Sequence, residues 1–283
     1  MEILRELIGF IKKSGLIDTD GRKPRPVDIR VGVFYTGVKL STGHAGIAYT
    51  PIHDLPDAVC CPRSHAKMPQ AGELLNQDID TLIDYSLEEK SPLKAAIGVA
   101  TLNALSAMLL EKEDCPYKIS GLGNALSLVE ITKDDTVGMI GAFPPFIKEL
   151  KGACKKLHVF EKNPWLKREA GVELQPDSLE KDILPGCDVL IITGVTIVNH
   201  TLEPILESGR GAREVVLVGP TASLYPEPFF RRGVTVMGGV RVTDADRVMD
   251  ILTEGGSGYD LFEKYADRVI IKRDATLTSV SCE

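Results

Sequence analysis

The chain has 283 residues, with 33 lysines and arginines against 40 aspartates and glutamates, so its formal charge is −7. Hydrophobic residues at 43% and charged residues at 26% are typical of a folded globular protein and exclude a disordered or fibrous chain. The acidic balance argues against a nucleic-acid partner. No run of 18 apolar residues occurs, so we expect a cytoplasmic protein with no membrane partner.

The cysteines do not indicate a disulfide framework. Six of them are spread over the chain, and none belongs to a Cys-x-x-Cys pair. Cys60, Cys61 and His65 could supply metal ligands, because thiolate and imidazole are donors that zinc prefers. A structural zinc site draws its four ligands from two such clusters, and the second cluster is missing. We therefore favour ordinary reduced cysteines there.

The chain begins with a predicted helix and a predicted antiparallel meander. Apolar residues between Ile3 and Ile11 recur at helical spacing. The runs 28–36 and 38–50 are rich in β-branched and aromatic residues and contain glycine turns, which predicts strands joined as a meander.

A Pro-rich segment and further helices follow the meander. Residues 51–72 predict a long surface loop or a flap. A helix is predicted over 73–85, and Ser91 followed by Pro92 marks the start of another. Small residues along this second helix predict close packing and burial.

From Thr136 onward, short apolar runs alternate with amphipathic stretches, which indicates parallel strands joined by helices. The predicted strands are 137–141, 157–161, 188–193, 214–219 and 234–237. The predicted helices are 145–153, 163–170, 178–184, 197–208, 225–232 and 244–254. The pattern predicts an α/β fold, with a Rossmann-like, doubly wound parallel sheet in a C-terminal domain of residues 132–283. The polar turn 131–135 predicts its boundary with an N-terminal domain of residues 1–131.

The residues that follow the predicted strands suggest a ligand site, because open parallel sheets bind ligands beyond the carboxyl ends of their strands. Glycine, proline and threonine recur at 141–145, 193–196 and 219–223, where backbone N–H groups and hydroxyls would suit an anionic group. Any one such turn is explained by backbone conformation alone, but three together favour an interdomain cleft. The candidate ligand-binding residues are Asn124, Gly141, Phe143, Glu161, Thr193, Gly194, Thr196, Asn199, Pro220 and Thr221.

A dinucleotide fingerprint is only partly present. Gly141 fits its central glycine, but Met139 and Pro144 occupy the outer glycine positions. Glu161 stands where a ribose-binding acid would lie, and a solvated charge at the sheet edge explains it equally well. No hydrolase, Walker or metalloprotease motif occurs, so the residues identify neither a cofactor nor a catalytic group.

Several segments together resemble the putative heavy-metal chelation family over most of the chain. They are Gly138–Pro145, Val159–Pro164, Asp188–Thr201, Gly219–Pro226 and Gly238–Asp244. The resemblance implies an α+β enolase N-terminal-like domain followed by a Rossmann-like domain, with a cleft between them and the segment Gly121–Ala125 entering it. Enolase activity is not implied, because the metal-binding carboxylates of enolase belong to a barrel that is absent here.

Two functions stay open at this point. The first is a small-ligand or metal-chelate binding protein with a role in heavy-metal chelation or handling. The alternative is a group-transfer or redox enzyme with a nucleotide-like cofactor, in which Glu161 holds a sugar and Asn124, Asn199 or Thr196 polarises the substrate. The candidate residues offer hydroxyls, amides and one carboxylate, which are poor ligands for soft metal ions. We therefore expect any metal to enter bound to an organic chelator or to a substrate. An oligomer stays open as well.

Overall fold

The computed structural model describes residues 1–17, 23–54, 69–163 and 166–274. Its strands are β1 (Pro26–Val31), β2 (Tyr35–Leu40), β3 (Ala45–Tyr49), β4 (Gly121–Leu122), β5 (Thr136–Ile140), β6 (Lys156–Phe160), β7 (Arg168–Glu169), β8 (Val172–Glu173), β9 (Val189–Thr193), β10 (Glu214–Val218), β11 (Val236–Val242) and β12 (Ala266–Lys272). Its α-helices are α1 (Glu2–Lys13), α2 (Ile79–Asp84), α3 (Pro92–Leu110), α4 (Pro144–Leu150), α5 (Glu180–Ile183), α6 (Val195–Val198), α7 (Leu202–Ser208), α8 (Glu227–Phe230), α9 (Ala245–Thr253) and α10 (Gly258–Leu261). Short 3₁₀ helices lie at Ile52–Asp54, Leu74–Asn76, Tyr85–Leu87, Ala125–Leu128, Asp177–Leu179, Leu184–Gly186 and Pro220–Ala222.

A large, mostly parallel sheet organises the second half of the chain. Its seven strands run in the order β4-β12-β11-β10-β9-β5-β6. The five strands from β11 to β6 are parallel, whereas β12 pairs antiparallel with β11 and β4 pairs antiparallel with β12. Strand β9 is buried from Val189 to Ile192, because other elements cover both faces of the sheet. The predicted α/β class is confirmed.

The first part of the chain contains the predicted meander and the long buried helix. Strands β1, β2 and β3 form a three-stranded antiparallel sheet. Helix α3 packs so closely on β3 that a Cβ at Gly46 would lie 2.2 Å from the carbonyl oxygen of Ala100. By length and composition α3 could cross a membrane, but 78% of its most apolar window is buried within the fold, as expected of a core helix.

Three elements of the second part differ from the prediction. No helix forms over the described residues of 163–170. The short β7–β8 hairpin lies there instead, because Ala170 at φ 48° and Gly171 at φ 79° reverse the chain. The predicted helix 197–208 is divided into α6 and α7, since His200 adopts φ 59° between them. Strand β12 was not predicted.

The two parts of the chain share one core. A continuous hydrophobic cluster runs from Ile3 and Leu4 of α1 to Met237 of β11. The carboxylate of Glu203 accepts hydrogen bonds from the N–H groups of Glu2 and Ile3, so α7 caps the start of α1. Strand β4 precedes the predicted boundary at residues 131–135 yet pairs with β12. The division into 1–131 and 132–283 remains a prediction.

Candidate functional site

The turns after β5, β9 and β10 lie side by side at the carboxyl edge of the large sheet. In each turn a glycine N–H donates to a backbone carbonyl of the neighbouring strand. The pairs are Gly141 to Phe160 at 2.9 Å, Gly194 to Val218 at 2.7 Å and Gly219 to Gly238 at 2.9 Å. These three N–H groups therefore continue the parallel ladder and are not the anion-binding donors that the sequence suggested.

Close contacts join the same turns to each other. Gly141 adopts φ +87°, and a Cβ added there would lie 3.2 Å from the side chain of Thr193 and 3.7 Å from the ring of Phe143. A Cβ on Gly194 would lie 2.9 Å from the backbone nitrogen of Ala222 and 3.1 Å from Cβ of Thr221. Gly141 is favoured by its positive φ and by this tight contact, whereas at Gly194 the neighbouring backbone lies too close for a Cβ without a shift.

Glu161 directly follows β6, and the backbone holds both of its carboxylate oxygens. Oε2 accepts from the Ala142 N–H at 3.2 Å, and Oε1 accepts from the Asn163 N–H at 2.9 Å. The side chain thus satisfies the donors that a ligand anion would otherwise use at this turn. Each carboxylate oxygen accepts one backbone hydrogen bond and keeps a further lone pair, so Glu161 can still accept from the donor group of a ligand.

Polar residues from both parts of the chain meet beside this turn. Lys162 Nζ lies 3.1 Å from Asp54 Oδ1. Burial raises the pKa of Tyr49, at the end of β3, and the carboxylates of Asp54 and Glu161 raise it further. We call Tyr49, Asp54, Glu161 and Lys162 the acidic corner. Its two carboxylates and one ammonium give it an excess of negative charge at neutral pH.

Buried hydrogen bonds fix β3 over the turn after β10. The Tyr49 N–H donates to Thr221 Oγ1 at 3.0 Å. Asn103 of α3 donates through Nδ2 to the carbonyl of Ile47 at 2.8 Å and to those of Thr221 at 3.3 Å and Pro220 at 3.4 Å. Asn103 and Thr221 are almost fully buried, so these bonds link the two parts of the chain without competition from water.

The other candidate residues have local roles. Thr196 is buried, and its hydroxyl donates to the Thr193 carbonyl at 2.7 Å. Asn199 Oδ1 accepts from the hydroxyl of Thr201 at 2.7 Å, which stabilises the turn between α6 and α7. Asn124 is exposed and donates to Glu149 Oε2 of α4 at 2.7 Å, so its amide is engaged by that helix. Eight of the ten candidates thus lie on the strand-end turns or beside them, whereas Asn199 and Asn124 have partners elsewhere.

Sequence reasoning missed four residues that build the site. Asn103 carried a signal, since it is an amide within the largely apolar helix α3. Tyr49 and Lys162 carried a weaker one, because each lies at or just after the end of a strand. Asp54 carried none, because only the fold brings it to β6.

The described residues do not form a site for a soft metal ion. Within residues 1–17, 23–54, 69–163 and 166–274, no group of three or more His, Cys, Asp and Glu side chains could hold a metal. Burial raises the pKa of the described cysteine Cys187 to about 11 and keeps it protonated, whereas metals bind the thiolate. Cys60, Cys61 and His65 lie outside the described residues.

Two family models, both described as putative heavy-metal chelation, match the chain: DUF364 over residues 124–271 and DUF4213 over residues 21–106. The chain belongs to the DUF364 putative heavy-metal chelation family. An uncharacterized protein of Methanocaldococcus jannaschii is similar to it, with 26% identity over 178 residues, which span 62% of this chain and 64% of that protein.

Two crystal structures of DUF364 proteins of unknown function are similar to this one. The Pyrococcus horikoshii protein has a TM-score of 0.73 and 25% identity, covering 94% of this chain and 100% of that chain. The Desulfitobacterium hafniense protein has a TM-score of 0.70 and 22% identity, covering 95% and 99%, and this likeness concerns the fold alone. In this DUF364 chain the acidic corner draws Tyr49 and Asp54 from the DUF4213 match and Glu161 and Lys162 from the DUF364 match.

Proposed function

We propose that this DUF364 protein binds a small cationic ligand, a metal ion held by an organic chelator, in a cleft at the carboxyl edge of the large sheet. The observation that carries the proposal is the acidic corner, where Lys162 pairs with Asp54 and the carboxylates of Asp54 and Glu161, from two separately matched regions, both raise the pKa of Tyr49. The cleft would be lined by Gly141, Phe143, Thr193, Gly194, Thr196, Pro220 and Thr221, with Asn124 and Asn199 at its outer margins.

Charge and donor chemistry both favour a chelate over a bare ion. The corner has more acid than base, and the whole chain carries −7, so a cationic ligand is attracted. A soft ion, however, needs sulfur or nitrogen donors, and the corner supplies oxygens, two of which already accept backbone hydrogen bonds. A chelated metal keeps its own donors and requires only charge and hydrogen bonds from the protein.

The finer architecture is part of the same proposal. We infer that residues 132–283 form a Rossmann-like domain and residues 1–131 an enolase N-terminal-like domain, with the cleft between them. The crossover of parallel strands and the meander followed by a long helix support this division. We expect the protein to act in the cytoplasm on a small-molecule partner.

Calorimetric titration with three probes tests the function. Hexaamminecobalt(III) is a cation whose ligands do not exchange, cobalt(III)–EDTA is an anion of similar inertness, and aqueous zinc is a bare metal. We expect stoichiometric binding of hexaamminecobalt(III) only. Asp54→Asn and Glu161→Gln should each weaken it by about fivefold, the upper range for a solvent-accessible charge pair.

The matched control is Glu254→Gln, at an exposed acid in the turn after α9, and it should bind like the wild type. Tight binding of the EDTA complex, or equal weakening by Glu254→Gln, would contradict the proposal. Stoichiometric binding of zinc alone would show that the protein ligates metal directly.

A further inference from the structure

A cavity of about 220 Å³ lies apart from the acidic corner, and none of the corner residues line it. Its floor is one face of the β11–β12 pair, where Met237 is opposite Ile271 and Gly239 is opposite Val269. The sheet is antiparallel here, so these cross-strand pairs place their side chains on a common face. The cavity therefore has a rigid, apolar floor.

The roof of the cavity comes from the first part of the chain. Ala107 and Leu110 of α3 lie three residues apart and share a helix face, and the segment 117–119 continues the wall. Leu224, in the turn after β10, closes one side. Because Ala107 has a small side chain, the space between helix and sheet remains open.

The walls of the cavity offer few polar groups to which the body of a ligand could hydrogen-bond. Two residues of the walls carry a hydroxyl, Ser223 and Tyr117, and that of Ser223 is already used, since its Oγ donates to the Pro220 carbonyl at 2.7 Å and accepts from the Val240 N–H at 2.8 Å. Apolar cavities with few polar groups are typical of small-molecule sites. The largely apolar walls therefore favour a ligand with an apolar body.

Three charged side chains lie at the mouth of the cavity, and they differ in whether another side chain pairs with them. Glu111 Oε2 lies 2.9 Å from His44 Nε2, and Arg241 Nη2 lies 3.0 Å from Asp267 Oδ2. Lys118 is exposed, and within the described part of the chain its ammonium has the Glu113 carbonyl at 3.4 Å but no carboxylate partner. Lys118 is thus the charge at the mouth that an incoming anion would neutralise.

We propose that this cavity binds a small amphipathic anion, with its apolar body between α3 and the β11–β12 pair and its single carboxylate or sulfonate group at Lys118. The site uses none of the residues of the acidic corner and so stands independently of the proposed function.

Fluorescence titration with 1-anilinonaphthalene-8-sulfonate, an apolar body with one sulfonate, tests this site. We expect one molecule to bind per chain, to be displaced by decanoate, and to be displaced at least tenfold less effectively by decylamine. Ala107→Leu, which fills the cavity, should abolish binding. Lys118→Gln should weaken it by about fivefold, whereas Lys133→Gln, at an exposed lysine elsewhere, should not.

The fold of the Ala107→Leu variant is checked by its far-UV circular dichroism and by a cooperative denaturant transition like that of the wild type. Displacement by decylamine as effective as by decanoate would contradict the anionic selectivity. Unchanged probe binding by a folded Ala107→Leu variant would show that the cavity is not the site.

Discussion

The backbone N–H of Tyr49 donates to the side-chain oxygen of Thr221 at 3.0 Å, which joins the end of β3 to the turn after β10. Thr221 is 2% exposed, so the bond is shielded from water. It sets the position of Tyr49, and with it one side of the acidic corner, relative to the strand ends. The two parts of the chain are thus held together at the candidate site itself.

Thr221→Val should lower the free energy of unfolding by about 1–2 kcal/mol. Valine keeps the shape of the threonine side chain but leaves the Tyr49 N–H without its acceptor. Chemical denaturation measures this loss. The matched control is Thr101→Val on α3, whose hydroxyl donates only to the Ile97 carbonyl of its own helix. Its effect should stay below about 0.5 kcal/mol. Equal losses in the two variants would mean that the link between β3 and the turn contributes no special stability.

Gly141→Ala should destabilise the protein more than Gly152→Ala. Both glycines have positive φ, at +87° and +82°, so both variants bear a backbone cost of about 1 kcal/mol. Only at Gly141 would the new Cβ also crowd a neighbour, Thr193 at 3.2 Å, whereas Gly152 has nothing within 4 Å. We expect an additional loss of about 1 kcal/mol, measured by denaturant midpoint. Equal midpoints for the two variants would argue against the close contact between these turns.

Asp135 should make stability depend on acid pH. Hydrogen bonds from the Arg213 guanidinium, and then from the Thr132 N–H, lower the pKa of Asp135 to about 2. Since its pKa in the unfolded chain is about 3.9, the stabilisation is complete above that range and is lost as pH falls from about 4 towards 2.

The advantage of the wild type over Asp135→Asn in free energy of unfolding should therefore be constant near neutral pH and shrink below about pH 4. Asp134→Asn, at the exposed neighbour, should change stability by less than about 0.5 kcal/mol. An advantage of the wild type that grows on acidification would contradict the proposed pairing with Arg213.

Local patterns predicted the strands that build the site but not every element around them. Buried parallel strands such as β9 are continuous apolar runs, which are visible in the sequence. Strand β12 lies next to the sheet edge, and its exposed residues Arg268 and Lys272 interrupt that pattern. The prediction of a helix at 163–170 was wrong, because the positive φ angles of Ala170 and Gly171 form a turn that the spacing of apolar residues does not reveal.

The candidate site was predictable only where chain order determines it. Gly141, Glu161 and Thr221 lie just after β5, β6 and β10, and crossover topology brings the ends of these parallel strands to one edge. Asp54 is more than a hundred residues from Lys162 along the chain, so only tertiary packing makes them partners. Asn124 follows β4 of the same sheet, but its hydrogen bond to Glu149 depends on where α4 packs.

The location of a bound cationic complex tests the central claim most directly. Crystals soaked with hexaamminecobalt(III) can be measured at the cobalt absorption edge, which gives the position of the metal without assumptions about its ligands. We expect an anomalous peak beside the carboxylates of Asp54 and Glu161, lost in crystals of the Asp54→Asn, Glu161→Gln double variant. A peak that persists in the double variant, or one that lies away from the carboxyl edge of the large sheet, would contradict the account.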